Sequence, residues 1–145
     1  ANSYRRFAPY NCVPLTPSWG VNNRTVALRI PSGAAASRHI EHRICGADAN
    51  PYLAAAAVLA GARHGLTEAL DPGPPVEGDG YAQAGGVPLP RHWPQAIEAL
   101  AASRFAREAL GERFVDVFIA VKRTESERWF AEVPQQDYDW YLHTL

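Results

Sequence analysis

Apolar and polar positions change rhythm several times along this chain. Residues 2–19 mix prolines with aromatics and keep no steady period, the texture of an irregular or partly extended segment. Thr25–Ile30 is rich in branched and apolar residues and predicts a strand, ended by Pro31-Ser32-Gly33. Arg38–Ile44 predicts a second strand, on which alternation groups His39, Glu41 and Arg43 on one face and Ile40, His42 and Ile44 on the other. On the first strand Arg29 shares a side with Thr25 and Ala27, opposite Val26, Leu28 and Ile30. The expectation is an α+β fold with an antiparallel sheet, one face apolar and one charged, backed by helices. Arg24 precedes the first strand and is out of step with Arg29, so alternation does not fix its direction.

The period then turns helical. Asn50 is a good N-cap and Pro51 a good first residue, so a helix should begin there and end near Leu70. Its alanines leave little bulk, which suits close packing. Residues 71–92 are rich in Gly and Pro without periodicity and predict a long loop, a feature that often carries function. The Gly85-Gly86 pair within it lacks the spacing and the preceding strand of a phosphate cradle. Residues 93–145 form a helical tail: Pro94–Ala102, a helix capped by Ser103 running to Leu110, a long helix from Glu112 to about Val133, and a final aromatic-rich helix after Pro134. Phe114, Val117, Phe118 and Val121 share one stripe of the long helix. Trp129, Phe130, Trp140 and Tyr141 read as packing residues, some of which could instead dock against a neighbouring subunit.

Composition adds bounds. The chain has 145 residues, one domain's worth, with nearly half of them apolar, as in globular proteins. Its net charge of −1 argues against a general nucleic-acid or membrane-surface binder. Charge is unevenly placed, however. Through residue 47 six arginines stand against Glu41 alone, a balance of +5, so the remainder carries −6. Lys122 is the only lysine against thirteen arginines, a bias that a GC-rich genome would also produce. Cys12 and Cys45 are too few for a disulfide framework and read as reduced thiols of a cytoplasmic protein. The longest apolar run, Leu53 to Ala62, is too short to span a bilayer. The absence of methionine and an opening inside an apparent motif suggest a piece of a longer protein.

The charged strand face is the candidate site. Arginine holds phosphate and carboxylate groups bidentately and keeps its proton, and a lone glutamate cannot neutralise several of them. An anion-handling site, with the carboxylate beside a divalent cation, is one reading. A solvated face with ion pairs to acidic residues elsewhere is the other, and spacing alone leaves both open.

"NSYRRF", "NNRTVALRIP" and "RHIEHRICGADANPYLAAAAVLAG", in that order, resemble the C-terminal half of the catalytic domain of the glutamine synthetase family. The tail, with "LPRHWPQAIEAL" and "DYDWYLHTL", is most similar to the glutamate–putrescine and glutamate–polyamine ligase branch. The resemblance implies an ATP-dependent ligase using Mg2+ or Mn2+, working through γ-glutamyl phosphate within a homo-oligomeric ring. By matching positions it implies that Arg6 grips the glutamate carboxylate and that Arg24 stabilises the transferring γ-phosphoryl group. Arg29 and Arg38 would contact ATP, Glu41 would ligate a divalent ion, and Arg43 would meet glutamate or the acyl phosphate. His39 replaces a usual arginine. The segment alone is expected to be inactive, because the family's other metal ligands lie upstream of these motifs.

One departure bears on the acceptor. Glutamine synthetases carry a glutamate that takes a proton from ammonium where this chain has Cys12, and residues 1–40 contain no acidic residue. This favours a larger amine. The competing readings are an ammonia-using glutamine synthetase and a non-catalytic assembly relative, which would be expected to lose Arg24, Arg29 or Glu41. Tyr81 falls where some family members carry a regulatory tyrosine, but its neighbours do not match. His42, on the apolar side, reads as a core histidine.

Overall fold

The computed structural model describes residues 1–83, 86–142 and 144. The Gly85-Gly86 reading therefore lies partly outside the described residues. The chain divides into two compact units, residues 2–92 and 93–145. Among the described residues no helix is long and apolar enough to cross a membrane.

Residues 2–92 are built on a three-stranded sheet in the order β1 (Trp19–Val21), β2 (Leu28–Ile30), β3 (Glu41–His42). The expected antiparallel pair is β2 with β3, which sets Arg29 opposite Glu41 and Leu28 opposite His42. β1 comes from the edge of the segment read as irregular, and it pairs parallel with β2, so the sheet is mixed. Parallel strands ordinarily need a long crossover. Here each is only three residues long, and the chain loops back through residues 22–27 from a left-handed Asn22 at φ 51.

Both predicted strands are shorter than expected, for local reasons. The Asn23 side-chain oxygen accepts from the Thr25 amide at 2.9 Å and the Thr25 hydroxyl at 2.6 Å, so residues 23–25 form a turn and pairing starts only at Leu28. Ahead of β3, a 3-10 turn over Ala35–Ser37 uses the Arg38 amide, leaving two residues for the strand. Val26 is fully buried, but Val21, Leu28 and Ile40 are exposed. His42 is likewise exposed rather than in a core, although its surroundings strip enough water from the ring to lower its pKa.

Helix α1 (Pro51–Thr67) starts as expected, the Asn50 side chain accepting from the amides of Tyr52 and Leu53 at 3.0 and 3.2 Å. It stops at Thr67, before the expected end, because Ala69 turns left-handed at φ 48 and the Leu70 amide returns to the Gly65 carbonyl at 2.9 Å. Among the described residues its small side chains are not closely packed: Leu59 and Leu66 are exposed, and a Cβ at Gly61 would meet nothing.

The 71–92 loop is tied down along its length. The Trp19 indole donates to the Gly73 carbonyl at 2.9 Å, and the Val76 amide donates to the Trp19 carbonyl at 2.8 Å. The Asn23 amide group donates to the carbonyls of Val76 and Gly78 at 3.2 and 2.9 Å. The Gly80 amide reaches the Thr25 hydroxyl and the Leu89 amide the Leu15 carbonyl, both at 2.9 Å.

Residues 93–145 hold α2 (Trp93–Ala102), α3 (Arg104–Leu110), α4 (Glu112–Ala131) and α5 (Gln135–Tyr141). Ser103 caps α3 by accepting from the Ala106 amide at 3.1 Å, and Gly111 at φ 92 separates α3 from α4. The core is Ile97, Val115 and Ile119, with Trp93, Leu100, Ala101 and Leu110 packed against it. The stripe expected inside is thus displaced: Phe114, Val117 and Val121 are exposed, because α4 is apolar on two sides and α2 covers the side of Val115 and Ile119. Trp129, Phe130, Trp140 and Tyr141 are also exposed and do not act as packing residues within this unit.

Candidate active site

The register of β2 against β3 places Arg29 and Glu41 side by side on one face, and alternation returns Arg43 to that face. Glu41 lies between the two guanidiniums. One carboxylate oxygen accepts from Arg29 Nη1 at 2.8 Å, and the other accepts from Arg43 Nη1 at 2.7 Å. Arg29 Nη2 also donates to Asn22 Oδ1 at 3.3 Å, and Arg43 Nη2 donates to the Cys12 carbonyl at 2.9 Å. The Nε atoms of both arginines are buried and, among the described residues, have no hydrogen-bond partner. The cluster thus has more donors than acceptors and one more positive charge than negative. The hydrogen bond from Arg29, reinforced by Arg43, holds the Glu41 carboxyl below the usual carboxylate range, so it is ionised at neutral pH.

Arg6 lies at the far end of the same strand region. Its Nη2 donates to the Ile44 carbonyl at 2.9 Å and its Nε to the Ser3 carbonyl at 3.2 Å, tying the turn over Asn2–Arg6 to the residue after Arg43. Ser3 in turn donates to Asp48, which lowers the pKa of that carboxyl.

Arg24 is set apart from the Arg29–Glu41–Arg43 cluster. It is exposed and lines a cleft of about 610 Å³ with Asn22, Asn23, Val76 and Glu77. Asn22 links the two places, since it lines the cleft and accepts from Arg29. Arg38 is exposed after the 3-10 turn. Among the described residues, neither Arg24 nor Arg38 has a side-chain hydrogen bond or ion pair.

Among the described residues no group of three or more His, Cys, Asp or Glu side chains could hold a metal ion. Glu41 brings a single carboxylate, both of whose oxygens already accept guanidinium N–H groups. A divalent ion here would have to draw its other ligands from outside the described residues.

Over residues 1–141 the chain matches the glutamine synthetase catalytic domain. The chain belongs to the glutamine synthetase family. It is 44% identical over 141 residues to gamma-glutamylputrescine synthetase PuuA of Escherichia coli (strain K12), covering 97% of this chain and 30% of that protein. It is 38% identical over 148 residues to type-1 glutamine synthetase 2 of Dictyostelium discoideum, covering 99% and 28%. A solved structure of apo GmaS without ligand shares the fold at a TM-score of 0.80 and 32% identity, over 98% of this chain and 32% of that one. The chain thus spans about 30% of the length of the relatives it matches.

Of the residues singled out in this glutamine synthetase segment, Arg29, Glu41 and Arg43 form one contiguous group, and Arg6 anchors to its strand. Arg24 occupies the neighbouring cleft, and Arg38 joins neither. Sequence reasoning missed Asn22, which receives the Arg29 guanidinium and the Ser32 amide. The Asn22-Asn23 pair ahead of Arg24 was the available signal, because side-chain amides favour turns. It also missed that the Tyr81 hydroxyl bonds the Val13 backbone. No local pattern announces that contact.

Proposed function

We propose that this segment belongs to an ATP-dependent ligase that joins the γ-carboxylate of glutamate to an amine, with putrescine or another polyamine as the acceptor. A γ-carboxylate oxygen attacks the γ-phosphorus of ATP, the bond from that phosphorus to the β-bridging oxygen breaks, and ADP leaves. The amine nitrogen then attacks the acyl carbon of γ-glutamyl phosphate, the carbon–oxygen bond breaks, phosphate departs and the nitrogen gives up a proton. Both steps move negative charge onto phosphoryl oxygens, and fixed guanidiniums stabilise such charge without reorganising. In this reading Arg24 and Arg43 act on the transferring group, Arg6 and Arg43 hold glutamate, and Arg29 and Arg38 bind ATP. Mg2+ or Mn2+ would accompany the nucleotide, with Glu41 as its one ligand from these residues, and the active assembly would be a homo-oligomeric ring in the cytoplasm.

The observation that carries the reading is the net-positive Arg29–Glu41–Arg43 cluster, short of acceptors, beside an unpaired Arg24. The acceptor follows from the lack of any acidic residue in residues 1–40, where Cys12 stands exposed, and from the similarity to a gamma-glutamylputrescine synthetase. ADP release by the full-length protein, with glutamate and either putrescine or ammonium, tests it. The expected result is a kcat/KM for putrescine at least tenfold above that for ammonium, on the order set by one missing charged contact. Preference for ammonium would make the protein a glutamine synthetase in the strict sense. No ADP release with either amine would favour a non-catalytic assembly protein.

A further inference from the structure

The segment before Val13 runs against its own backbone preferences. Tyr10 and Cys12 are both left-handed, at φ 67 and φ 52, a region disfavoured for residues with a Cβ. Both are exposed, so burial does not hold them there. Two external ties do. Arg43 Nη2 donates to the Cys12 carbonyl at 2.9 Å. One residue on, the Val13 amide donates to the Tyr81 hydroxyl at 3.1 Å, and that hydroxyl donates to the Val13 carbonyl at 3.0 Å. A single hydroxyl gripping both polar groups of one residue fixes its position and its rotation, because turning the backbone loses one bond or the other.

Tyr81 is itself held. Its amide donates to Asp79 at 2.9 Å, and the adjacent Gly80 amide donates to the Thr25 hydroxyl at the same distance. A continuous line of hydrogen bonds and short covalent steps therefore runs from the Thr25 turn, through Tyr81, Val13 and Cys12, to Arg43 and Glu41. Arg43 depends on its end of that line. Its side chain is only 12% exposed and its Nε already has no partner, so losing the Cys12 carbonyl would leave a further N–H to be satisfied elsewhere.

We infer that the Tyr81 hydroxyl is a positioning group: it holds the Cys12 carbonyl in place, and that carbonyl sets the Arg43 guanidinium against Glu41. Its effect on catalysis rests on the ligase reading above; its effect on the loop does not. Tyr81→Phe in the full-length protein removes the hydroxyl and keeps the ring, which packs edge-on against Tyr10 at 5.7 Å between centroids. Amide exchange at Val13, measured without substrates, should accelerate at least tenfold, and kcat for ADP release should fall roughly tenfold with KM for ATP within about twofold. Tyr10→Leu, which removes the packed ring but leaves the hydroxyl, should keep both readouts within about twofold of wild type. The inference is overturned by unchanged Val13 exchange in Tyr81→Phe, by faster exchange with kcat held, by a matching rise in KM for ATP, or by Tyr10→Leu reproducing the effect. A wild-type protein that releases no ADP overturns the ligase reading and the catalytic half of this one, while Val13 exchange still decides the tether.

Discussion

Gly20 sits in the middle of β1 as the register partner of Arg29, and the structure leaves no room there for a side chain. A Cβ at this position would stand 2.8 Å from the Val76 carbonyl oxygen and 3.2 Å from Asn23 Cβ. The oxygen belongs to backbone that is bonded on both sides, so it cannot swing away as a side chain would. Gly20→Ala then has two outcomes. Either the strand absorbs the overlap, at about 1–3 kcal/mol for overpacking a closed site, or residues 73–80 lift off the sheet edge. Lifting forfeits the Trp19–Gly73 and Val76–Trp19 bonds, the two bonds from Asn23 and the Gly80–Thr25 bond, roughly 5 kcal/mol at a net 1 kcal/mol each. The cheaper route sets the cost, so a loss of about 1–3 kcal/mol is expected. Gly61→Ala is the matched control. It sits in α1 with nothing near its would-be Cβ and should gain up to about 1 kcal/mol from helix propensity alone. Urea unfolding of both variants, with amide exchange at Val76, measures the contrast. A Gly20→Ala protein within about 0.5 kcal/mol of wild type, with Val76 protection intact, would refute the reasoning about the anchored loop.

Other outcomes follow from the same geometry. On the ligase reading proposed above, Arg24→Ala in the full-length protein should lower kcat for ADP release by one to two orders of magnitude and change KM for ATP less; steady-state kinetics showing kcat within about twofold would remove Arg24 from the chemistry. The Glu41 carboxyl is held below its ordinary value of 4.5, first by the Arg29 hydrogen bond. Its contribution is therefore fully present above that pH and lost as pH falls through the lowered value. The stability gap between wild type and Glu41→Gln, followed by unfolding at several pH values, should narrow on acidification below 4.5. Asp48 titrates in the same region but is common to both proteins. Ala69→Gly should raise stability by about 0.5–1 kcal/mol by relieving the left-handed residue that closes α1. Val115→Ala, at a fully buried position, should cost about 2–3 kcal/mol in the unfolding of residues 93–145.

Features written in consecutive residues were legible. Asn50-Pro51 opens α1, Ser103 opens α3 and Gly111 parts α3 from α4, because caps and left-handed stops act on their immediate neighbours. That Glu41 and Arg43 share a strand face followed from alternation, whereas the meeting of Arg29 with Glu41 is set by the β2–β3 register. What depended on distant partners was not legible. Trp19-Gly20-Val21 is too short to show alternation, and its strand state comes from pairing with β2. Thr25 has the side chain of a strand residue, yet the Asn23 side chain takes its amide first. On α4 two apolar stripes compete, and the sequence does not say which one α2 will cover. The Tyr81 hydroxyl and Val13 are 68 residues apart in sequence, beyond the reach of any local pattern.

Because Glu41 is divided between two guanidiniums, the β2–β3 face keeps a standing surplus of one positive charge whatever the solution does above the acid range. Such a surface draws polyanions before any contact forms, and its reach is only about 8 Å in physiological salt. On the ligase reading proposed above, added electrolyte should therefore slow the capture of a nucleotide more than it loosens one already seated, and a neutral analogue should be indifferent to it.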